Sequence, residues 1–493
     1  MNPIPRIALI AGLAAITTAA AESKPNILII LTDDHGYADL GANGADPDVR
    51  TPNLDELAGQ GVLFSNGYTT APQCVPSRAG IISCRHQNSF GLEDNLNGPL
   101  SHDEYTIAER LRDAGYITGM VGKWHLDLVK TPNGKGQRVS VDYLPHTHGF
   151  TEYFCGLMHQ YHISHDLQGN AVPDAPKLIT DNRYRIDVQT EAALSFLDRR
   201  KADKKPWFLY LPYYAPHSPI EDPPHYMQRL DHVKAPIRRM ALASILAIDD
   251  GVGAIRKKLA EMGATENTLI FFMADNGAPL RAGAYVGSLN SPMTGEKGMQ
   301  TDGGQRVPFI AAWPGKIPAG RKFGEAVWTL DASATALAAA GAPADDKVEG
   351  VNLMPWLRDE KSGTVHEMLC WRWRSQAAIL SGGWKLIRLA DKRRYLFDMR
   401  EAGRETAADN KIAEHPEIAA NLEKKLEAVA ATWKPGGLPD TPNDQDGSFY
   451  DQHVERSLPP LPLDKGATGA LIRGGKQLPD GSVKKKKRKA AAQ

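Results

Sequence analysis

An Asp-Asp pair, an Asp-Asn pair, a cysteine motif and a set of lysines and histidines carry the chemistry open to this chain. Asp33-Asp34 follows the apolar run Asn26 to Leu31, and Asp275-Asn276-Gly277 follows a second run, Thr268 to Met273. Strand ends that present carboxylate and amide oxygens make an all-oxygen site. Such a site suits Ca2+, with Mg2+ as the alternative, and not zinc, which wants His or Cys. Tandem carboxylates in a dry cleft repel one another without a cation, so a divalent ion is part of the expectation. Either pair alone is common in solvated loops; the repetition after two buried-type strands is the signal.

Cationic groups for an anionic substrate come next. Lys123 and His125 stand in Gly122-Lys123-Trp124-His125-Leu126, after the strand-like Ile117 to Val121. Extended backbone would put both side chains on one face. His217 lies in Ala215-Pro216-His217-Ser218-Pro219, where flanking prolines stiffen the loop and fix the imidazole's direction. Lys297, in Gly295-Glu296-Lys297-Gly298, reads by itself as part of a glycine-rich surface loop. Cys74-Val75-Pro76-Ser77-Arg78, with Ser83-Cys84-Arg85 shortly after, adds a thiol and an arginine four residues on.

These groups need a frame. Asn26 to Leu31, Trp207 to Leu211, Thr268 to Met273 and Val307 to Ala312 are continuous apolar runs, as in strands buried on both faces. Helical patterns lie between them: Thr190 to Leu197, and Leu242, Ile245, Val252, Ile255 and Leu259 at 3.6-residue spacing. Alternating strands and helices predict an α/β sandwich around a largely parallel sheet, whose ligands collect beyond the strands' carboxyl ends. After about Gly341 the pattern changes to short strands at Ala377 to Leu380, Trp384 to Leu389 and Tyr395 to Asp398. An amphipathic helix follows, Pro416 to Trp433. The expected division is a signal peptide at 1–21, a catalytic domain at 22–345, a small α+β subdomain with an antiparallel sheet at 346–440, and an extended tail at 441–493.

Length favours a large domain plus a smaller one. The 493 residues are 42% hydrophobic and 24% charged with zero formal net charge, which points neither to nucleic acid nor to a membrane surface. Arg6, the apolar run Ile7 to Ile16, and Ala19 and Ala21 in A-x-A register have the layout of a cleaved secretory signal. Export to the periplasm or medium is expected, without stable membrane insertion. The terminal run Lys484 to Lys489 reads as part of a solvated tail. Four cysteines, Cys74, Cys84, Cys155 and Cys370, are too few for a disulfide scaffold. Oligomeric state leaves no mark in the sequence.

Taken together, Asp33-Asp34, C-x-P-S-R, G-K-W-H, A-P-H, D-N-G and G-x-K-G followed by G-G-x-R-V-P resemble, in order and spacing, the type I sulfatases of the alkaline-phosphatase-like superfamily. The likeness runs from about Pro25 to Trp433. It implies that a maturation enzyme oxidises Cys74 to formylglycine. It further implies that Asp33, Asp34, Asp275, Asn276 and modified Cys74 surround Ca2+, and that Arg78 steadies the formylglycine hydrate. Lys123, His125, His217 and Lys297 would contact the sulfate or its ester oxygen. A thiol would be trapped as a stable thiosulfate-type ester, whereas an aldehyde hydrate has one hydroxyl to attack sulfur and another to collapse the adduct. The resemblance assigns His125 as the base for that collapse, and His217 or Lys297 as proton donor to the leaving sugar oxygen.

Two positions depart from the family pattern. Cys84 stands where glycine is usual, which puts close helix packing in question, and Asp302 stands where glutamate is common. Rival readings are a phosphomonoester or phosphonate hydrolase of the same superfamily, and a glycan-binding relative without turnover. Sulfated carbohydrate is the expected substrate. His86 to Gly91 resembles carbohydrate-active sulfatases, and His162, His165, Arg372 and Arg374 are candidate sugar contacts, since aromatic-rich stretches with Arg suit acidic pyranoses.

Overall fold

A computed structural model describes residues 23–456 apart from 135, 202, 282 and 401–404. The expected signal peptide and the terminal lysine run lie outside the described residues.

The main sheet is built from β1 (Asn26–Asp33), β2 (Val62–Phe64), β3 (Ile117–Gly122), β4 (Glu152–Leu157), β5 (Gln160–Ile163), β6 (Lys177–Thr180), β7 (Trp207–Pro216), β8 (Thr268–Ala274), β9 (Phe309–Ala312) and β10 (Arg321–Phe323). Their spatial order is β10-β2-β9-β8-β1-β7-β3-β4-β5-β6. The central strands β8, β1, β7, β3 and β4 are mutually parallel, and antiparallel strands flank them. The Val307 to Ala312 run thus becomes β9, antiparallel to β8. Side chains of β1 alternate between two cores. Ile27, Ile29 and Leu31 face α1 (Cys74–Ser83), while Leu28 and Ile30 face α2 (Arg185–Arg200) and α3 (Pro236–Glu261). Each such buried side chain contributes roughly 1.5–3 kcal/mol. The continuous apolar run therefore follows from coverage on both faces.

Register sets the site. Thr32 pairs with Ala274, so Asp33 emerges beside Asp275, and Asp33 pairs with Pro216, so His217 follows directly beside Asp34. On the far side of β7, Gly122 closes β3 with φ 121°, and a Cβ there would stand 2.1 Å from the Pro212 carbonyl oxygen. Only glycine allows that approach, and Lys123 comes next.

The second module is an antiparallel sheet of β11 (Met368–Trp373), β12 (Gln376–Ser381), β13 (Trp384–Leu389) and β14 (Arg394–Asp398), covered by α4 (Pro416–Ala430). One face, with Trp371, Ile387 and Phe397, joins the main core; the other, with Ile379, Leu386 and Leu396, packs on Leu422 and Leu426. Two features differ from expectation. The Trp371 to Arg374 stretch largely belongs to β11. The expected extended tail begins instead with a docked helix, α5 (Asp444–Tyr450), and a π-helical turn at Asp451–Glu455. Phe449, Tyr450 and Val454 are buried, and Asp446 Oδ2 accepts hydrogen bonds from Ser375 at 2.7 and 3.1 Å. Three apolar anchors, with Asp446 and the Tyr450 hydroxyl bonded to Ser375 and Gln376, hold it in place.

Candidate active site

Cys74 begins α1, is fully buried, and points its Sγ at Asp33 Oδ1 (3.4 Å) and Lys297 Nζ (3.0 Å). Burial and Asp33 push the thiol far above its usual range, against the pull of Lys123 and Lys297. An unmodified thiol therefore stays protonated here and makes a poor nucleophile.

Around it the strand ends deliver opposite charges in balance. Asp33 Oδ2 pairs with Lys123 Nζ and stands 3.4 Å from Arg78 Nη2. Asp34 Oδ1 accepts from Lys297 Nζ (2.5 Å) and Asn276 Nδ2 (2.7 Å). Asp275 Oδ2 accepts from Arg78 Nε at 2.9 Å and forms an ion pair with Nη2 at 2.8 Å. Three carboxylates thus face three cations, all buried. Burial opposes ionisation of Asp33, yet Lys123, His217 and Arg78 hold it well below the ordinary carboxylate range. Asp275 is raised to about 6 by burial and by Asp33. Burial works against Lys297 too, but Asp34 and the Cys74 sulfur keep its ammonium well above its ordinary value.

The oxygen set fits a divalent ion. Donor atoms of Asp33, Asp34, Cys74 and His217 lie within 4.8 Å of one another. The Asn276 amide oxygen is buried with no hydrogen-bond partner, a costly arrangement unless a cation takes it up.

Two histidines flank this cluster. His217 Nδ1 lies 2.5 Å from the Ser218 carbonyl oxygen and Nε2 lies 3.8 Å from Asp34 Oδ2. A carbonyl only accepts, so the proton is on Nδ1 and Nε2 faces the site with its lone pair. Burial and Lys123 bring His217 down to about 4. His125 is held neutral by burial, Lys123 and Arg78, and its Nδ1 is buried without a partner. Its φ of 61° places it by a left-handed turn and not by the strand alternation expected for Lys-x-His.

The structure treats the sugar-contact candidates differently. His162 lines a cleft that begins at His125. His165 sits near Glu152 and Arg199, at the amino end of β4 and away from the carboxyl-edge cluster. Arg372 is buried, bonded through Nε and Nη2 to Glu93 and through Nη1 to the carbonyls of Pro435 (2.6 Å) and Gly437 (2.5 Å), so four of its five N–H donors are spent inside the protein. Arg374, partly exposed, pairs with Asp94 at 2.8 Å. Both arginines brace the 93–95 loop, whose Asn95 Oδ1 accepts from the Val75 N–H (3.0 Å) at the start of the nucleophile helix. His86 stacks on Trp433 and bonds to the Cys370 carbonyl, a packing role between the two modules.

Cys84 caps α1 with φ 59°, so the advantage of glycine there is the left-handed cap itself and not close packing. Asp302 is buried in an ion network with Lys385 at 2.8 Å and Arg306 at 3.2 Å. All four cysteines are unbridged. Sequence reasoning missed Tyr214, whose ring lies 4.9 Å from Lys123 Nζ and 4.3 Å from the Arg185 guanidinium; its only sequence mark is a place three residues before His217. It also missed Glu296, buried beside Lys297 and held by His453 at 3.1 Å.

Comparison with known proteins agrees with this geometry. The sulfatase family model matches residues 25–342, and a model of the N-sulphoglucosamine sulphohydrolase C-terminal region matches 296–432. N-acetylgalactosamine-6-sulfatase of Canis lupus familiaris is 32% identical over 381 residues, which cover 71% of this chain and 69% of that protein. The structure of Ps i-CgsB in complex with k-i-k-neocarrahexaose superposes with a TM-score of 0.73 at 27% identity, covering 87% of this chain and 97% of the other. A phosphonate monoester hydrolase of Agrobacterium radiobacter shares the fold alone, with a TM-score of 0.61 at 20% identity over 83% of this chain and 95% of the other. The chain belongs to the sulfatase family, within the alkaline-phosphatase-like superfamily, and is a sulfuric ester hydrolase.

Proposed function

We propose that this sulfatase removes a sulfate ester from a carbohydrate, with Cys74 matured to formylglycine and Asp33, Asp34, Asp275 and Asn276 holding Ca2+ or Mg2+. The observation that carries the reading is the meeting at Cys74 of three carboxylates, three cations and an amide oxygen without a partner. A carbohydrate substrate is supported by the relatives, one named N-acetylgalactosamine-6-sulfatase and another in complex with k-i-k-neocarrahexaose.

At position 74, formylglycine supplies the paired hydroxyls that let sulfate be accepted and then released. The divalent ion supplies Lewis-acid polarisation and the surplus positive charge that a balanced cluster lacks. The chain's own groups do the rest. Arg78 fixes Asp275 and Asp33, and through Nη1 the Lys123 carbonyl at 2.8 Å. Lys123 and Lys297 oppose negative charge gathering on the sulfuryl oxygens. His125, neutral with an unpartnered nitrogen, accepts the proton when position 74 returns to the aldehyde. A proton gained by His217 goes to Nε2, facing the site, and a group held near 4 releases it readily to the departing sugar oxygen. Lys297, held high, keeps its proton and contributes charge.

The N-terminal pattern supports export to the periplasm or medium, with a formylglycine-generating enzyme as transient partner. Among the described residues, no helix is long and apolar enough to cross a membrane. The test is protein co-expressed with such an enzyme and assayed on defined sulfated saccharides beside phosphate and phosphonate esters, with and without chelator. Sulfate release that is lost in Cys74→Ala and on chelation is expected. Phosphate-ester turnover that survives Cys74→Ala, with no sulfate release, would favour the phosphohydrolase alternative.

A further inference from the structure

The parallel strands deliver their catalytic residues along one carboxyl edge: Asp275 after β8, Asp33 at the end of β1 with Asp34 next, His217 after β7, Lys123 after β3. The next strand in that row is β4, and its hairpin partner β5 continues the edge. There a cleft of about 400 Å³ opens, with His125, Asp127, Gln160 and His162 as its polar lining. Its volume falls in the range of pockets that bury a small organic ligand. His125 belongs to both regions: it lines the cleft and feels the charges of Lys123, Arg78 and Asp33.

Two of the cleft's polar atoms lack protein partners. The Nδ1 atoms of His125 and His162 are buried and unbonded. Asp127 is 6% exposed; its carboxylate accepts from its own backbone N–H and, among the described residues, pairs with no cation. Burial raises this carboxyl to about 7. Buried atoms without a partner, as the two imidazole nitrogens are, are normally satisfied by a ligand or water. The remaining walls are apolar, among them Trp124, Leu157 and Leu178, and among the described residues no Lys or Arg lines the space. That composition is the reverse of the sulfate pocket, where three cations gather. A second anionic substituent entering here would meet apolar surface and a carboxyl, with nothing to offset its desolvation.

We propose that this cleft is the subsite for an uncharged part of the sugar adjoining the scissile sulfate. Asp127 accepts a hydrogen bond from a ring hydroxyl or acetamide N–H there and excludes a second sulfate or a uronate. Gln160 and His162 complete the polar rim. The inference rests on the carbohydrate-sulfatase reading and narrows it to substrates that carry one sulfate and an otherwise neutral ring.

The test separates the two claims. Full-length Cys74→Ala protein in calcium buffer is titrated calorimetrically with the 6-sulfates of galactose, N-acetylgalactosamine and N-acetylglucosamine, each beside a disulfated counterpart. The proposal expects at least one monosulfated sugar to bind tenfold or more tightly than its disulfated partner. Adding Asp127→Asn should shrink that gap to threefold or less, and adding His162→Gln should weaken the monosulfated sugar about tenfold. Matching melting temperatures show that the variants fold. Equal or tighter binding of every disulfated partner, or a gap that survives Asp127→Asn, overturns the proposal. Sulfate release by matured wild-type enzyme is scored separately. Selective binding without release removes the catalytic reading and keeps the subsite; release without selectivity does the reverse.

Discussion

Arg78→Lys keeps a buried positive charge and removes the fork that holds the site together. In the structure Nε and Nη2 both reach Asp275 Oδ2, at 2.9 and 2.8 Å, Nη1 donates to the Lys123 carbonyl at 2.8 Å, and Nη2 stands 3.4 Å from Asp33. A lysine ammonium is a point charge on a flexible stem and can replace one of these contacts, not the set. Hydrogen bonds to charged groups contribute about 1.5–3 kcal/mol each. Losing two, at the low end because the site relaxes, costs about 3 kcal/mol, or roughly 100-fold in rate at 1.36 kcal/mol per decade. The loss should appear mainly in function, because Arg78 aligns Asp275, Asp33 and Lys123 together. We expect kcat/KM for a sulfate ester to fall about 100-fold, and half-maximal activity to require more calcium. Sulfate release measured across a calcium titration checks both, and a double-mutant cycle with Asp275→Asn should show a coupling of at least about 1 kcal/mol. A variant within threefold of wild type, with unchanged calcium dependence, would refute the reasoning that the fork positions the cluster.

Two further perturbations probe the frame. Gly122→Ala puts a Cβ 2.1 Å from the Pro212 carbonyl oxygen at φ 121°; the strain of about 1–3 kcal/mol should shift Lys123 and His125 and lower kcat at least tenfold, and an unchanged kcat would show that the loop absorbs the change. His86 is held at about 3 by burial, below its unfolded value near 6.5, so the stability it carries is complete above pH 6.5 and is lost as pH falls toward 3. The slope is about 1.4 kcal/mol per pH unit. The melting-temperature advantage of wild type over His86→Gln should therefore shrink between pH 7 and pH 4, and a constant gap would show that His86 titrates normally.

Much of this site was legible because it is tied to strand ends. Asp33, Asp275, His217 and Lys123 each follow an apolar run, and parallel register brings such positions together. Direction was harder to read: the run that becomes β9 has the same composition whether parallel or antiparallel, and only its pairing with β8 decides. Arg372 was misread because a buried arginine is explained by a partner, Glu93, that is remote in sequence. The docked 444–455 segment carries its packing in three residues, too few for a periodic signal. Cys84 shows the same limit in backbone terms, since a left-handed cap is a φ value and not a composition. Asp127 sits two residues after His125 with no mark of its own until the folded chain leaves its carboxylate facing a cleft.

The central claim concerns the chemical state of position 74. Peptide mass spectrometry across Cys74 to Arg78, on protein made with a formylglycine-generating enzyme and assayed in parallel for sulfate release, tests it directly. The account predicts an aldehyde at position 74 whose fractional yield tracks specific activity from one preparation to the next. Full sulfatase activity from protein that retains the thiol at Cys74 would contradict it.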